Sequence, residues 1–449
     1  MVNQTDDAAQ LQGARSIRKV LSDVSDSNNM PAKAVIETNV IPRLVQLMKR
    51  IDKPVLQFEA AWALTNIAST SLTEFVAVDQ PPTMCNAAPI MVQLMRSPDP
   101  DVRDQCCWAI GNIVGDSTKL RDMVMAIPNS LNNLLLNITK ASSEAALQNA
   151  VWALSNMCRG QPRPCLQVAK QVLPVLAKLV IHDSKHALID AMWALSYLTD
   201  GNDDDIQAVL DVVPAKRLVD LAGHFDIKLV TPALRCIGNI VSGNDAQTQA
   251  LIDTGGLFAR MSKLLDHSRA IIKKEACWTL SNIAAGTVDQ ARQLAQYVDT
   301  NQSLLSKVAN LVVTGDFGVK KEACWTLANL CSPRADPVCI AKVVASKPES
   351  GLSALCQALT IDDPAAILVT MEALEAILLS QVPSEKPIEQ LFEEYGALDH
   401  LESLQEHASE DVYNKAAHII ATYFSQQGDS DDDAPAFEQI EPFAPFAPL

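Results

Sequence analysis

The sequence predicts an all-α chain, a right-handed superhelical solenoid of about ten helical repeats. All six tryptophans, Trp62, Trp108, Trp152, Trp193, Trp278 and Trp325, stand in one recurring stretch. Four residues after each comes Asn66, Asn112, Asn156, Tyr197, Asn282 or Asn329, and one further copy keeps Asn239 but has Arg235 in the tryptophan position. Successive copies are 41 to 47 residues apart, a period characteristic of stacked two- and three-helix units. Hydrophobic content of 48% with only 5% aromatic residues suits helices that pack through Leu, Ile, Val and Ala.

The period and the helical content together indicate armadillo or HEAT repeats. At 449 residues the chain is too long for one ordinary globular core, so a repeat array is the natural reading. With 36 basic and 53 acidic residues the net charge is −17, which argues against a nucleic-acid surface and for a basic partner. The 11 cysteines have no paired spacing and lie mostly in apolar runs, as at Cys107, Cys277 and Cys324, which reads as reduced thiols of an intracellular protein. Met1 to Gly13 is too polar for a signal peptide, and no apolar window is long enough for a membrane span.

Residues 1–26 read as an N-terminal partial repeat or cap, 27–427 as the repeat domain, and 428–449 as an acidic tail with Pro and Phe that is expected to be disordered in isolation. Within the repeat domain a short, a medium and a long helix recur. Ile41 to Met48 is a medium helix and Val55 to Ser69 a long one; Ala88 to Met95 precedes the long helix of Trp108, and Val172 to Leu179 that of Trp193. Proline at a first turn costs no hydrogen bond. Polar breaks such as Gly115-Asp116-Ser117 and Gly243-Asn244-Asp245 end the long helices.

On a helix, residues three before and four after the tryptophan share its face. Three before stand Glu59, Gln105, Asn149, Asp190, Glu275 and Glu322, all polar. A stripe of acid or amide, indole and amide is a poor buried interface, since an unpaired buried amide costs about 1 to 3 kcal/mol. It suits a groove. Amides pair with the backbone of an extended guest of any sequence, and slots between indoles, rimmed with acid, take Lys or Arg stems. The bland alternative is that the tryptophans are core and the asparagines tie neighbouring helices together.

No catalytic constellation is evident, and the chain reads as a non-enzyme without cofactor or metal. His182 and His186 have no third ligand nearby, Gly255-Gly256 lacks the lysine of a phosphate loop, and no nucleophile or histidine shares the face of the stripe acids.

The stretches Phe58 to Ser69, Ser196 to Gly201, Thr231 to Val241 and Lys274 to Trp278 closely resemble the importin α (karyopherin α) family, the adaptors that recognise nuclear localisation signals. Even the exceptions Tyr197 and Arg235 are similar to the family's pattern. The resemblance implies a major peptide site at Trp62, Asn66, Gln105, Trp108, Asn112, Asp116, Asn149, Trp152, Asn156, Asp190 and Trp193. It implies a minor site at Arg235, Asn239, Thr248, Glu275, Trp278, Asn282, Glu322, Trp325 and Asn329, so that a two-cluster signal engages both. Basic cargo proteins, importin β and an export receptor of the CAS type at the C-terminal repeats are the implied partners, with neither nucleic acid nor membrane. The implied location is cytoplasmic and nuclear, shuttling between the two.

The family's strongly basic N-terminal segment binds importin β and folds back on the groove. The first fifty residues here carry only scattered Arg15, Arg18, Lys19, Lys33, Arg43, Lys49 and Arg50, so an open groove is expected. The competing class is a catenin-like scaffold. Grooves of that kind are basic and take acidic partners, whereas Glu59, Asp116, Asp190, Glu275 and Glu322 make this one acidic.

Overall fold

The computed structural model describes residues 1–22, 30–71, 73, 76, 86–299, 302–332, 334–347 and 350–424. The expected tail, 428–449, lies outside them. The fold is an all-α solenoid of short, medium and long helices, and the chain divides into two compact units. Unit 1 comprises 1–217 with 224–236, and unit 2 comprises 218–223 with 237–449.

Unit 1 opens with α1 (Asp7–Leu21), α2 (Met30–Glu37), α3 (Ile41–Met48) and α4 (Pro54–Ala68). There follow α5 (Ala88–Leu94), α6 (Pro100–Asp116), α7 (Thr118–Met125), α8 (Ser130–Thr139), α9 (Glu144–Cys158), α10 (Leu166–Leu179), α11 (Lys185–Thr199) and α12 (Asp203–Leu210). Helices α13 (Ala215–Leu221) and α14 (Ile227–Val241) each contribute to both units. The long helices α1, α4, α6, α9 and α11 pack in series, each on the next. Their contact faces carry small residues: Ala60, Ala61 and Ala63 on α4, Ala109 and Gly111 on α6, and Ala150 and Ala153 on α9 are buried. Small side chains let long helices approach closely, so the apolar area of the flanking Leu and Ile leaves water.

Medium helices are tied across repeats by buried amides. Asn133 donates to the Val92 carbonyl at 2.9 Å and Asn137 to the Met95 carbonyl at 2.8 Å. Arg121 is fully buried and donates to the carbonyls of Arg159 (2.6 Å), Gly160 (3.3 Å) and Pro162 (2.7 Å). One guanidinium thus satisfies a turn that has no ladder of its own.

One repeat departs from the expected order of three helices. The stretch before Trp193 forms one helix, α10, with Pro174 inside it. In four other repeats a residue with positive φ separates the short from the medium helix: Asn39 at 54°, Asn129 at 66°, Gly255 at 71° and Gly396 at 74°. Asn and Gly tolerate that conformation and so end helices there. Residues 166–173 contain neither, and the two segments fuse.

Unit 2 continues with α15 (Asp245–Ile252), α16 (Leu257–Leu265), α17 (Ala270–Ala284) and α18 (Val288–Gln296). A two-residue antiparallel pair, β1 (Val298–Asp299) with β2 (Gln302–Ser303), precedes α19 (Leu304–Thr314) and α20 (Phe317–Leu330). The unit ends with α21 (Pro337–Val344), α22 (Gly351–Ala358), α23 (Pro364–Leu379), α24 (Ile388–Glu394), α25 (Ala397–Leu404) and α26 (Glu410–Tyr423). Here α17, α20, α23 and α26 pack in series. Asn244 with Gln247 and Thr287 with Gln290 form reciprocal caps at the starts of α15 and α18, which satisfies donors that a helix start leaves open. No helix among the described residues is long and apolar enough to cross a membrane.

Truncating Arg121 removes the side-chain donor from three carbonyls of a part-buried turn. Arg121→Ala is expected to cost unit 1 about 3 kcal/mol, read as a lowered urea midpoint for its tryptophan fluorescence.

Candidate functional site

Four long helices of unit 1, α4, α6, α9 and α11, carry one indole each at the recurring position. Trp62, Trp152 and Trp193 are partly exposed and Trp108 is 37% exposed. Among the other residues expected in the major site, Asn66, Asn112, Asn149 and Asp190 are partly exposed and Asp116 is exposed, while Gln105 and Asn156 are buried. In unit 2, Trp278, Asn282, Glu322, Trp325 and Asn329 are partly exposed, whereas Asn239, Thr248 and Glu275 are buried. Arg235, in unit 1, is exposed.

The burial of Gln105, Asn156, Asn239 and Glu275 corrects the expectation that a polar stripe must face outward. Partners across the helix stack explain it. Asn112 Nδ2 donates to the Thr65 carbonyl at 3.3 Å, Asn156 Nδ2 to the Gly111 carbonyl at 3.2 Å, and in unit 2 Asn329 Nδ2 to the Ser281 carbonyl at 3.0 Å. Each acceptor stands three residues after the indole position of the preceding long helix. Gln105 Nε2 likewise donates to Thr65 Oγ1 at 2.8 Å. The reading that the asparagines tie neighbouring helices is therefore correct for one of their N–H groups. The amide oxygen and the second N–H are additional capacity. Thr248 is a local tie as well, its hydroxyl donating to the Val241 carbonyl at 3.3 Å.

The indoles lie down on the preceding helix because small residues occupy its matching turn. A Cβ on Gly111 would sit 2.5 Å from Trp152 Cζ3, and one on Gly238 would sit 2.2 Å from Trp278 Cζ3. Gly115 makes similar room for Asn156, whose Nδ2 would lie 2.8 Å from an added Cβ. Sequence reasoning missed these glycines, although Gly111 and Gly238 share the place three after the tryptophan position. Trp193 stacks on Tyr197 with centroids 5.9 Å apart, and Phe58 meets Trp62 edge-on at 5.4 Å.

Two acids on this frame, Asp116 and Asp190, have no ion pair among the described residues. Burial pushes the Asp190 carboxyl up to about 6, opposed only by His186. Asp116 ends α6, where the helix dipole adds negative potential and makes a cation welcome. Glu322 in unit 2 is also raised by burial, against Lys274 and Lys321. Asn282 Nδ2 is buried without a hydrogen-bond partner among the described residues, a donor that a guest carbonyl would satisfy. Glu59 behaves differently: Arg15 Nε reaches its Oε1 at 2.9 Å and Arg18 Nε its Oε2 at 2.6 Å. Its charge is taken from within, which corrects its place among the groove acids. Among the described residues no group of three His, Cys, Asp or Glu could hold a metal ion.

The fold and the recurring indole–amide face define an armadillo-repeat protein. The armadillo/β-catenin-like repeat matches residues 28–69, 244–285 and 301–332, the atypical armadillo repeat 386–438, and a HEAT-like repeat 54–113 and 146–198. Importin subunit alpha-1b of Oryza sativa subsp. japonica is 39% identical over 437 residues, covering 95% of this chain and 78% of that protein. Importin subunit alpha-1a of the same species is 40% identical, covering 95% and 80%, and importin subunit alpha-3 of Arabidopsis thaliana is 37% identical, covering 96% and 80%. The chain belongs to the importin α family. The crystal structure of an engineered protein superposes over 94% of this chain and 96% of its own, at a TM-score of 0.78 and 24% identity, a likeness of fold.

Gly111→Ala sets two effects against each other. Alanine favours the helix by about 1 kcal/mol, but its methyl group displaces a rigid ring from a close-packed contact. The displacement is expected to win, moving Trp152 and shifting the tryptophan emission maximum while leaving the far-UV circular dichroism unchanged.

Proposed function

We propose that this chain is a nuclear import adaptor that binds the lysine- and arginine-rich localisation signals of cargo proteins along the indole face of unit 1, with a second site on the equivalent face of unit 2. What carries the reading is the series of partly exposed indoles, one per long helix, accompanied by a half-buried acid, Asp190, that has no cation. An extended guest rises about 3.3 Å per residue, so about three of its residues pass each helix in a stack spaced about 10 Å apart. Amides of Asn66, Asn112, Asn149 and Asn156 hold the guest backbone, while Trp62, Trp108, Trp152 and Trp193 flank aliphatic stems whose charged heads reach Asp116 and Asp190. Gln105 supports the frame from beneath. In unit 2 the same parts are Trp278 and Trp325 with Asn239, Asn282 and Asn329 and the acids Glu275 and Glu322. Importin β and an export receptor are the transport partners this reading assigns, and the chain moves between cytoplasm and nucleus. The acidic lining speaks against a catenin-like scaffold for acidic partners.

Trp152→Ala and Asn156→Ala are each expected to weaken a single-cluster lysine-rich peptide about tenfold, whereas Trp325→Ala matters chiefly for two-cluster peptides. Unchanged fluorescence-anisotropy titrations for all three would leave the reading without support.

Asp190 gives a test of a different kind. Its folded carboxyl titrates near 6, above the ordinary value near 4, so ionisation opposes folding above the unfolded value and the strain is fully present at neutral pH. A bound cation relieves it. Peptide affinity should fall as pH drops from 7.5 to 5.5, and Asp190→Asn should flatten that dependence while raising the melting temperature of the free protein at pH 7.

A further inference from the structure

The hydrogen bonds that set the register of the stack identify α1 as a rung with unusual residues. Asn66 Nδ2 donates to the Arg18 carbonyl at 3.4 Å, as Asn112 does to Thr65 and Asn156 to Gly111. Arg18 therefore occupies the place three after the indole position, where Thr65 and Gly111 are small, and Arg15 occupies the indole position itself. The consequence is visible at Trp62. Its ring lies against the Arg18 guanidinium, whose carbon is 4.2 Å from the ring centroid, instead of against a bare helix turn. Both guanidinium groups close on the buried Glu59 carboxylate, so two cations meet one acid and the rung keeps a net positive charge. Arg15 stays 42% exposed at the side chain, and α4 packs between α1 and α6.

Taking the proposed function as given, we infer that Arg15 and Arg18 form a positively charged stop beside Trp62. The slot on the α1 side of that indole is filled by the chain's own arginine, so the row open to a guest ends with the slot between Trp62 and Trp108. A guest with a longer basic run gains nothing from one more cation at that end, because Arg15 repels it and Glu59 is spent. The residue of the guest that reaches the stop is selected to be neutral or acidic.

The test compares labelled pentalysine with labelled hexalysine, each titrated against the full chain by fluorescence anisotropy. The ratio of extended to unextended affinity is taken within each protein. Wild type should gain no more than about twofold from the sixth lysine, whereas Arg15→Ala, in which Arg18 still pairs with Glu59, should gain about fivefold. Arg15→Lys, which keeps the charge, should behave as wild type. An equal gain in wild type and Arg15→Ala, or no gain in a folded Arg15→Ala that binds pentalysine, overturns the stop. Failure of wild type to bind pentalysine at all would overturn the proposed function, and with it the stop.

Discussion

Much of the stack rests on one recurring contact: an indole laid against the turn of the preceding long helix, with an asparagine one turn later whose Nδ2, at Asn112, Asn156 and Asn329, donates to a carbonyl of that helix. The pair does two things. It sets register between helices that would otherwise slide along smooth Ala and Leu faces, and it leaves the indoles partly exposed. On the proposed function, stability and recognition come from the same residues. Gly111 and Gly238 are its clearest signature, because the indole lies where a methyl group would stand.

Electrostatics then give the face a sign. Asp190 is held partly desolvated without a cation, and an arrangement that penalises the free protein is one that a basic guest relieves. Glu59 shows the opposite solution, with Arg15 and Arg18 supplied by the chain itself. On the proposed function, the difference between an open and a closed slot lies in whether the guest or the chain provides the cation.

The period of the tryptophans and the residues around them made the repeat class and the rung residues legible from sequence. Their partners were not legible. Gln105 and Asn156 looked too polar to bury because Thr65 and Gly111, which accept from them, lie more than 39 residues away in the chain. The fused helix before Trp193 went unread because Pro174, which lies inside the helix, looked like a new start. The arginine pair on α1 was visible only as scattered basic charge, since its meaning depends on the through-space register with Asn66.

The central claim is that the indoles of unit 1 receive cationic stems. Its most direct test is the indole N–H spectrum of protein labelled with 15N at tryptophan, recorded while a lysine-rich peptide is added. The signals of Trp62, Trp108, Trp152 and Trp193 should shift together, less so as salt is raised, and stay still with an acidic peptide of equal length. Indole signals that do not respond to a basic peptide shown to bind the chain would contradict it.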